Sequence, residues 1–159
     1  MHDPRDTKPE SLSGYLERMS KVIFQSGMNW KVVEAKWPGI REAFGGFEVQ
    51  KVADLSAADI DLLAADPRVI RNRPKIQAIS DNAAMLLHLD ESPGGFAGYL
   101  SGLGGFDAQR AALTEHFRFL GVSSAPLYLA MVGEHIPQSY IDEVMAKYHA
   151  GGASERKTG

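Results

Sequence analysis

The sequence predicts an all-α fold, and three observations support that class. Almost every segment with regularly spaced apolar residues repeats at the three-to-four-residue period of a helix rather than the two-residue period of a strand. Prolines and glycines stand between these segments, where helices begin and end. Hydrophobic residues make up 44% of the 159 residues, which is enough for a folded domain with a buried core.

The first third of the chain predicts two helices. Residues 11–26 carry apolar side chains on one helical face, and Gly27 ends that helix. A second helix is expected over residues 30–44, with Pro38 kinking or dividing it. Residues 47–52 alternate weakly and could form a short strand, but a helical turn is the better interpretation among so many helices.

Residues 56–89 predict two helices joined by a short hairpin. Ser56 begins the first helix, and Asp59 follows three residues later as in a capping box. The Asp-Pro pair at 66–67 ends it, because proline has no N–H and disfavours helix at the residue before it. Pro74 suits the first turn of the second helix. The pattern therefore predicts a helix-hairpin-helix unit.

The second half of the chain is helical around a glycine-rich loop. Residues 90–106 contain six glycines and a proline, so a loop with a short helix at 96–100 is expected. Three more helices are predicted, one capped by Asp107 and reaching about Phe119, one started by Ser123-Ser124 with Pro126 in its first turn, and one from Pro137 to Tyr148.

These elements predict a single helical domain over residues 11–150, with the hairpin motif at about 56–89. A flexible segment is expected at 1–10 and a disordered tail at 151–159.

Charge and composition limit the classes of function. The net charge of −3 excludes a strongly basic nucleic-acid binder of the histone type, although a local basic patch can still bind DNA. The absence of cysteine excludes disulfides and thiolate metal sites, and the five histidines show no paired ligand spacing, so no metal or other cofactor is expected. With no leader segment or long apolar run, a cytoplasmic protein without a membrane partner is expected; no protein partner can be inferred.

The hairpin is locally basic. It contains four cations within eight residues and no acid among them: Arg68, Arg71, Arg73 and Lys75. With the backbone amides around Val69 and Ile70 and the N-terminus of the second helix, these cations could hold a phosphate backbone. The alternative is a solvated face whose cations form salt bridges.

Several segments resemble the DNA-3-methyladenine glycosylase I family. Residues 24–30 (FQSGMNW) resemble its Q-[AS]-G-x-x-W signature, and residues 117–123 (FRFLGVS) are similar to its F-x-F-[VL]-G-x-[ST]. Residues 44–47 and 69–79 also match, and the resemblance covers roughly residues 15–135. It implies a helix-hairpin-helix DNA glycosylase fold and a hydrolase of base excision repair. Such an enzyme cleaves the bond between a damaged base and deoxyribose in double-stranded DNA.

The resemblance also implies candidate site residues. Trp30 would stack on an electron-poor base, or it is a core tryptophan. Gln25 would bond to a base edge or, alternatively, to the backbone as a buried amide. Gly27 would shape the pocket floor, and Val22 stands where the family places the glutamate that reads alkylated adenine. No catalytic residue is assigned.

Other departures concern the ends of the family pattern. Without cysteine the family zinc site cannot form in its usual way, and the pocket tyrosine of the family's N-terminal segment has no obvious substitute. Glu17 or Glu34 could replace the missing glutamate, but both are more often surface charges. Helix-hairpin-helix enzymes with a general base carry an aspartate shortly after the hairpin, but Asp81 lies too deep in its helix to be proposed for that role. Ser123 and Ser124 would cap a helix, approach a second phosphate, or do both.

Three hypotheses follow. The first is a glycosylase that removes alkylated purines such as 3-methyladenine. The second is a catalytically inactive relative that binds DNA or a damaged base without cleavage. The third is a helical interaction protein whose resemblance records ancestry alone.

Overall fold

The computed structural model describes residues 7–146, and within this range it contains helices and no strand, which confirms the predicted all-α class. Eight α-helices follow in chain order: α1 (Leu12–Gln25), α2 (Trp30–Ala43), α3 (Val49–Ala53), α4 (Ala57–Ala65), α5 (Arg73–Leu89), α6 (Gly95–Ser101), α7 (Phe106–His116) and α8 (Ala125–Met131). A 3₁₀ turn at Gly45–Phe47 precedes α3, and residues 138–146 are helical.

Most helix boundaries agree with the sequence patterns. Pro38 lies inside α2 without dividing it. The segment at 47–52 is helical, as predicted. In the capping box at the start of α4, the Asp59 amide donates to the Ser56 hydroxyl over 3.1 Å, and the Ser56 amide donates to the Asp59 carboxylate over 3.0 Å. This reciprocal pair satisfies two amides that the first helical turn leaves unbonded.

One predicted helix cap is wrong, and a second residue stands at the predicted N-cap without the predicted side-chain bond. Asp107 lies within the first turn of α7, whose N-cap is Gly105 at φ 134°, and α7 ends at His116 because Phe117 is extended. Ser124 stands at the N-cap of α8, but its side chain makes no capping bond. Its hydroxyl instead accepts from the Gly121 amide over 3.0 Å and closes the turn before the helix.

Helix α5 is the central element of the fold, and α1, α3, α4 and α6 pack against it. Its inward side chains are fully buried: Ile76, Ile79, Ala83 and Leu86. Burying each of the larger apolar side chains contributes about 1.5–3 kcal/mol. The N-terminus of α5 follows the hairpin directly, so this core holds the hairpin on a rigid support.

Four aromatic rings fix α2 against α1. The ring of Trp37 stacks on that of Phe47 at 5.4 Å between centroids, and Phe47 stacks on Phe44 at 4.9 Å. Phe24 of α1 meets Trp37 and Phe44 edge-on. The second half of α2 and the turn after it are thus held in a defined position relative to α1.

Some sequence predictions concern residues outside 7–146: most of the flexible N-terminal segment, the C-terminal tail and the end of the last helix at Tyr148. Within the described range, no helix combines the length and apolar character needed to cross a membrane.

Candidate nucleic-acid interface and base pocket

Residues 66–72 form a tight turn between α4 and α5. The Asp66 carboxylate accepts from the Arg68 amide over 2.8 Å, and the Asp66 carbonyl accepts from the Val69 amide over 3.0 Å. The Val69 side chain is buried and anchors the turn in the core. Among the described residues, the amides of Ile70, Arg71 and Asn72 have no acceptor. The turn therefore offers three consecutive N–H groups to an external acceptor.

The hairpin arginines differ in their surroundings. Arg68 contacts Asp66 at 2.7 Å and Glu42 at 3.0 Å. Hydrogen bonds from Arg68 hold the pKa of the Asp66 carboxyl below its ordinary value. Arg73 contacts Asp61 of α4 at 2.8 Å. Arg71 is exposed and pairs with no described acid. Two of the three arginines thus already have carboxylate partners, which agrees with the alternative prediction that the cations of this face form salt bridges.

Lys75 joins the hairpin unit to the turn after α1. Its ammonium donates to the Ser26 carbonyl over 2.6 Å, and its partial burial lowers its pKa. Ser26 follows Gln25 and precedes Gly27, so this bond brings the predicted phosphate anchor against the predicted base pocket. The bond therefore joins two segments whose bonded residues are 49 positions apart in sequence.

The turn after α1 explains the roles of Gly27 and Gln25. Gly27 has φ +80°, and a Cβ added there would meet nothing within 4 Å, so backbone conformation rather than close packing requires glycine. Gln25 is buried, and its side-chain oxygen accepts no hydrogen bond from the described residues. Asn29, which the sequence reasoning missed, caps α2 by accepting from the Lys31 amide over 2.8 Å.

Trp30 is the first residue of α2 and is only 5% exposed. The Lys21 ammonium lies over its ring, 5.7 Å from the centroid, and also 5.6 Å from the centroid of Trp37. Glu34 pairs with this ammonium at 2.6 Å. Val22, beside Lys21 in sequence, is fully buried in the core. A cation of the protein itself therefore covers part of the predicted stacking residue.

The three acidic residues weighed for the pocket, two as replacements for the family glutamate and Asp81 as a general base, all have other partners. Glu17 accepts from the indole of Trp37 over 2.9 Å and from Arg41 over 3.3 Å. Asp81 accepts from Gln77 and Arg118. Glu34, through Lys21, is the one of the three that lies beside Trp30.

The loop before α8 presents apolar side chains to solvent. Asn82 of α5 holds this loop, since its side chain accepts from the Arg118 amide over 2.8 Å and donates to the Arg118 carbonyl over 3.0 Å. Phe119 has φ +60° and is 45% exposed, and Ser123 is also exposed. Ser124 is buried, so its hydroxyl serves the turn rather than the surface. The sequence carried no signal for the backbone conformation of Phe119.

A cavity of about 390 Å³ lies between the end of α2, α3 and α4. Its lining includes Phe44, Leu55, Leu62 and Asp66, and none of the four predicted base-pocket residues. Within residues 7–146, no three metal-binding side chains converge on one point.

The model of the protein family described as "Methyladenine glycosylase" matches residues 2–120 of this chain. The chain belongs to the methyladenine glycosylase family. The DNA-3-methyladenine glycosylase of Haemophilus influenzae is 34% identical over 100 residues, which are 62% of this chain and 54% of that protein. DNA-3-methyladenine glycosylase 1 of Escherichia coli is 34% identical over 87 residues, 50% of this chain and 46% of its own. The chain thus spans about half the length of these curated relatives.

Solved structures of the family share the fold. The 3-methyladenine DNA glycosylase I of Staphylococcus aureus superposes with a TM-score of 0.70 at 24% identity, covering 79% of this chain and 78% of that chain. A second crystal structure of a 3-methyladenine DNA glycosylase I gives the same TM-score and identity, covering 80% of this chain and 81% of its own. These likenesses confirm the predicted glycosylase-like helical fold.

Proposed function

We propose that this protein is a DNA glycosylase of base excision repair that hydrolyses the N-glycosidic bond of alkylated purines such as 3-methyladenine in double-stranded DNA. The observation that carries the proposal is the bond from Lys75 to the Ser26 carbonyl, which joins the hairpin to the Q-S-G-x-x-W turn. Membership of the methyladenine glycosylase family supports the same activity.

The hairpin would bind the DNA backbone. The amides of Ile70, Arg71 and Asn72, which bond to no acceptor within residues 7–146, suit a phosphate oxygen. The guanidinium of Arg71, which pairs with no acid in that range, supplies a positive charge on the same turn. Arg73 would exchange its carboxylate partner for a second phosphate. Contacts of this kind carry no sequence information, so they would hold any duplex while the pocket examines a base.

The pocket would receive a base that has left the helical stack. Trp30 would provide the stacking surface, and the side-chain oxygen of Gln25 could accept from an amino group of the base. In an alkylated purine the ring already carries a positive charge. When the bond to C1′ breaks, its electron pair neutralises that charge, and water adds to C1′ and gives up a proton. A strong catalytic acid is therefore not needed.

The second candidate is an inactive relative that binds DNA or a damaged base. Two observations favour it: Glu17, Glu34 and Asp81 all have cationic or hydrogen-bonding partners, and Lys21 covers the face of Trp30. For either candidate we propose a cytoplasmic location, consistent with the expectation from the sequence.

The two candidates are separated by incubating alkylated duplex DNA with the purified protein and measuring released 3-methyladenine and 7-methylguanine. Trp30→Ala is the test variant, Leu62→Ala at an exposed site is its control, and thermal unfolding shows whether each variant folds. Release that is lost in Trp30→Ala, with DNA binding retained, supports the glycosylase. Duplex binding without release supports the inactive relative.

A further inference from the structure

The cavity between the end of α2, α3 and α4 has no role in the proposed glycosylase function. Its volume is about 390 Å³, which is in the range of pockets that bind ligands. Phe44, Val52 and Leu63 line it, and the core holds these side chains in place, since each is at most 8% exposed. Of the described residues that line the cavity, only Asp66 belongs to the hairpin turn. The cavity is therefore a preformed apolar site next to the predicted DNA-binding surface.

Leu62 of α4 continues the apolar surface from the cavity to solvent. It lines the cavity and is 71% exposed, which makes it the most exposed large apolar side chain within residues 7–146. Ile60 and Leu63 of the same helix are buried. Helix α4 thus has apolar side chains both in the core and at the surface beside the cavity. Apolar surface that joins a cavity to an exposed leucine is typical of an interaction site.

The surface around the cavity is acidic. Residues 42–66 contain a single cation, Lys51, and six acids: Glu42, Glu48, Asp54, Asp59, Asp61 and Asp66. The acids still outnumber the cations six to three when the nearby Arg68 and Arg73, which pair with some of these acids, are included. Asp59 and Asp66 line the cavity itself, and hydrogen bonds lower the pKa of both carboxyls. Such a surface repels phosphate groups and attracts a cationic partner.

We propose that the cavity and Leu62 bind a segment of another protein that carries apolar side chains on one face and lysine or arginine beside them. A small molecule that fills the cavity leaves Leu62 in water, whereas a protein segment covers both. The acids extend from the end of α2 to the end of α4, so an extended segment contacts more of them than a compact ligand does. A basic amphipathic helix has this chemistry, because its apolar face enters the groove while its cations meet the acidic rim.

Fluorescence anisotropy of a labelled peptide tests this proposal with the purified protein. The probe is a helical peptide of about 14 residues, with leucines three and four positions apart on one face and lysines on the others. Two matched peptides replace every lysine with glutamine or with glutamate. Leu62→Ser is the test variant. Val122→Ser is its control, because Val122 is 63% exposed and apolar but lies in the loop before α8.

We expect the lysine peptide to bind Leu62→Ser about tenfold more weakly than wild type, the factor that corresponds to about 1.4 kcal/mol. The reason is that the peptide leucines lose an apolar partner at the centre of the contact. Val122→Ser should bind the lysine peptide as wild type does. The glutamine peptide should bind wild type more weakly and the glutamate peptide most weakly, and these differences should shrink as salt screens the charges.

Equal binding of the lysine peptide by wild type and Leu62→Ser overturns the proposal, as does the absence of binding or equal binding of the lysine and glutamate peptides. Sedimentation of the wild type at several concentrations tests a second copy of this chain as the occupant. Self-association that Leu62→Ser abolishes would replace the proposed partner with that copy. If Leu62→Ser fails to fold in a thermal unfolding control, Leu62→Gln provides the same comparison. None of these outcomes depends on base release, so they are independent of the proposed glycosylase activity.

Discussion

The ion pair between Arg73 and Asp61 predicts that DNA binding is restrained by an acid of the protein itself. In the free protein the Arg73 guanidinium contacts the Asp61 carboxylate at 2.8 Å, and both side chains are about half exposed or more. A phosphate must therefore compete with Asp61 for the same guanidinium. Asp61→Asn removes the competitor and leaves the arginine in place.

The size of the effect follows from the exposure of the pair. Exposed ion pairs of this kind contribute about 0.2–1 kcal/mol, which corresponds to about a 1.4- to 5-fold change in affinity. We expect Asp61→Asn to tighten duplex binding within this range, with the largest effect at low salt, where exposed charges are least screened.

Glu42→Gln provides a matched comparison, because it removes the same charge from a partner of a hairpin arginine. Arg68 keeps its contact with Asp66 when Glu42 is changed, so we expect a smaller gain than in Asp61→Asn. The assay is fluorescence anisotropy of a labelled undamaged duplex at several salt concentrations. Equal or weaker binding by Asp61→Asn relative to wild type would refute the reasoning that Arg73 serves the phosphate.

Three further predictions concern single residues. Arg71→Ala should weaken binding to all duplex sequences alike and reduce the magnitude of the slope of log affinity against log salt concentration by about 1. An unchanged slope in a salt titration would show that Arg71 does not contact the DNA. Asn82→Ala should lower the free energy of unfolding by about 2–4 kcal/mol in urea denaturation, because the amide and carbonyl of Arg118 both lose their partner; a loss below about 0.5 kcal/mol would show that the loop finds other partners. Gly27→Ala should lower the free energy of unfolding by about 1–2 kcal/mol in the same assay, since φ is +80° there. Gly27→Asn should lower it less, because asparagine tolerates this conformation better. Equal losses in the two variants would point to a cause other than backbone conformation.

The extent to which the sequence predicted the fold depended on the range of the interactions. The capping box of Ser56 and Asp59 and the start of α5 near Pro74 follow from bonds between residues a few positions apart, and they were predictable. The cap assigned to Asp107 was wrong because Gly105 is the N-cap of α7. Ser124 is the N-cap residue of α8 as predicted, but its hydroxyl bonds within the preceding turn rather than to the helix.

The candidate site shows the same division. The basic hairpin could be recognised from its local sequence. Its local sequence did not identify every acid that pairs with Arg68 and Arg73. Glu42 lies 26 residues from Arg68, on another helix. The position of Lys21 over Trp30 likewise depends on how α1 and α2 pack, which no local pattern encodes. Ion pairs and cation–ring contacts between residues of different helices were therefore identified only from the structure.

If this protein breaks the glycosidic bond of alkylated purines, each event yields a free base and an abasic site, and counting both products tests the proposed activity directly. Alkylated duplex DNA is incubated with an excess of the purified protein, and the free alkylated purines (3-methyladenine and 7-methylguanine together) and the abasic sites are counted in the same sample. We predict that both products appear in equal number, and that neither appears with Trp30→Ala. Duplex DNA that is saturated with protein and yields neither product would contradict it.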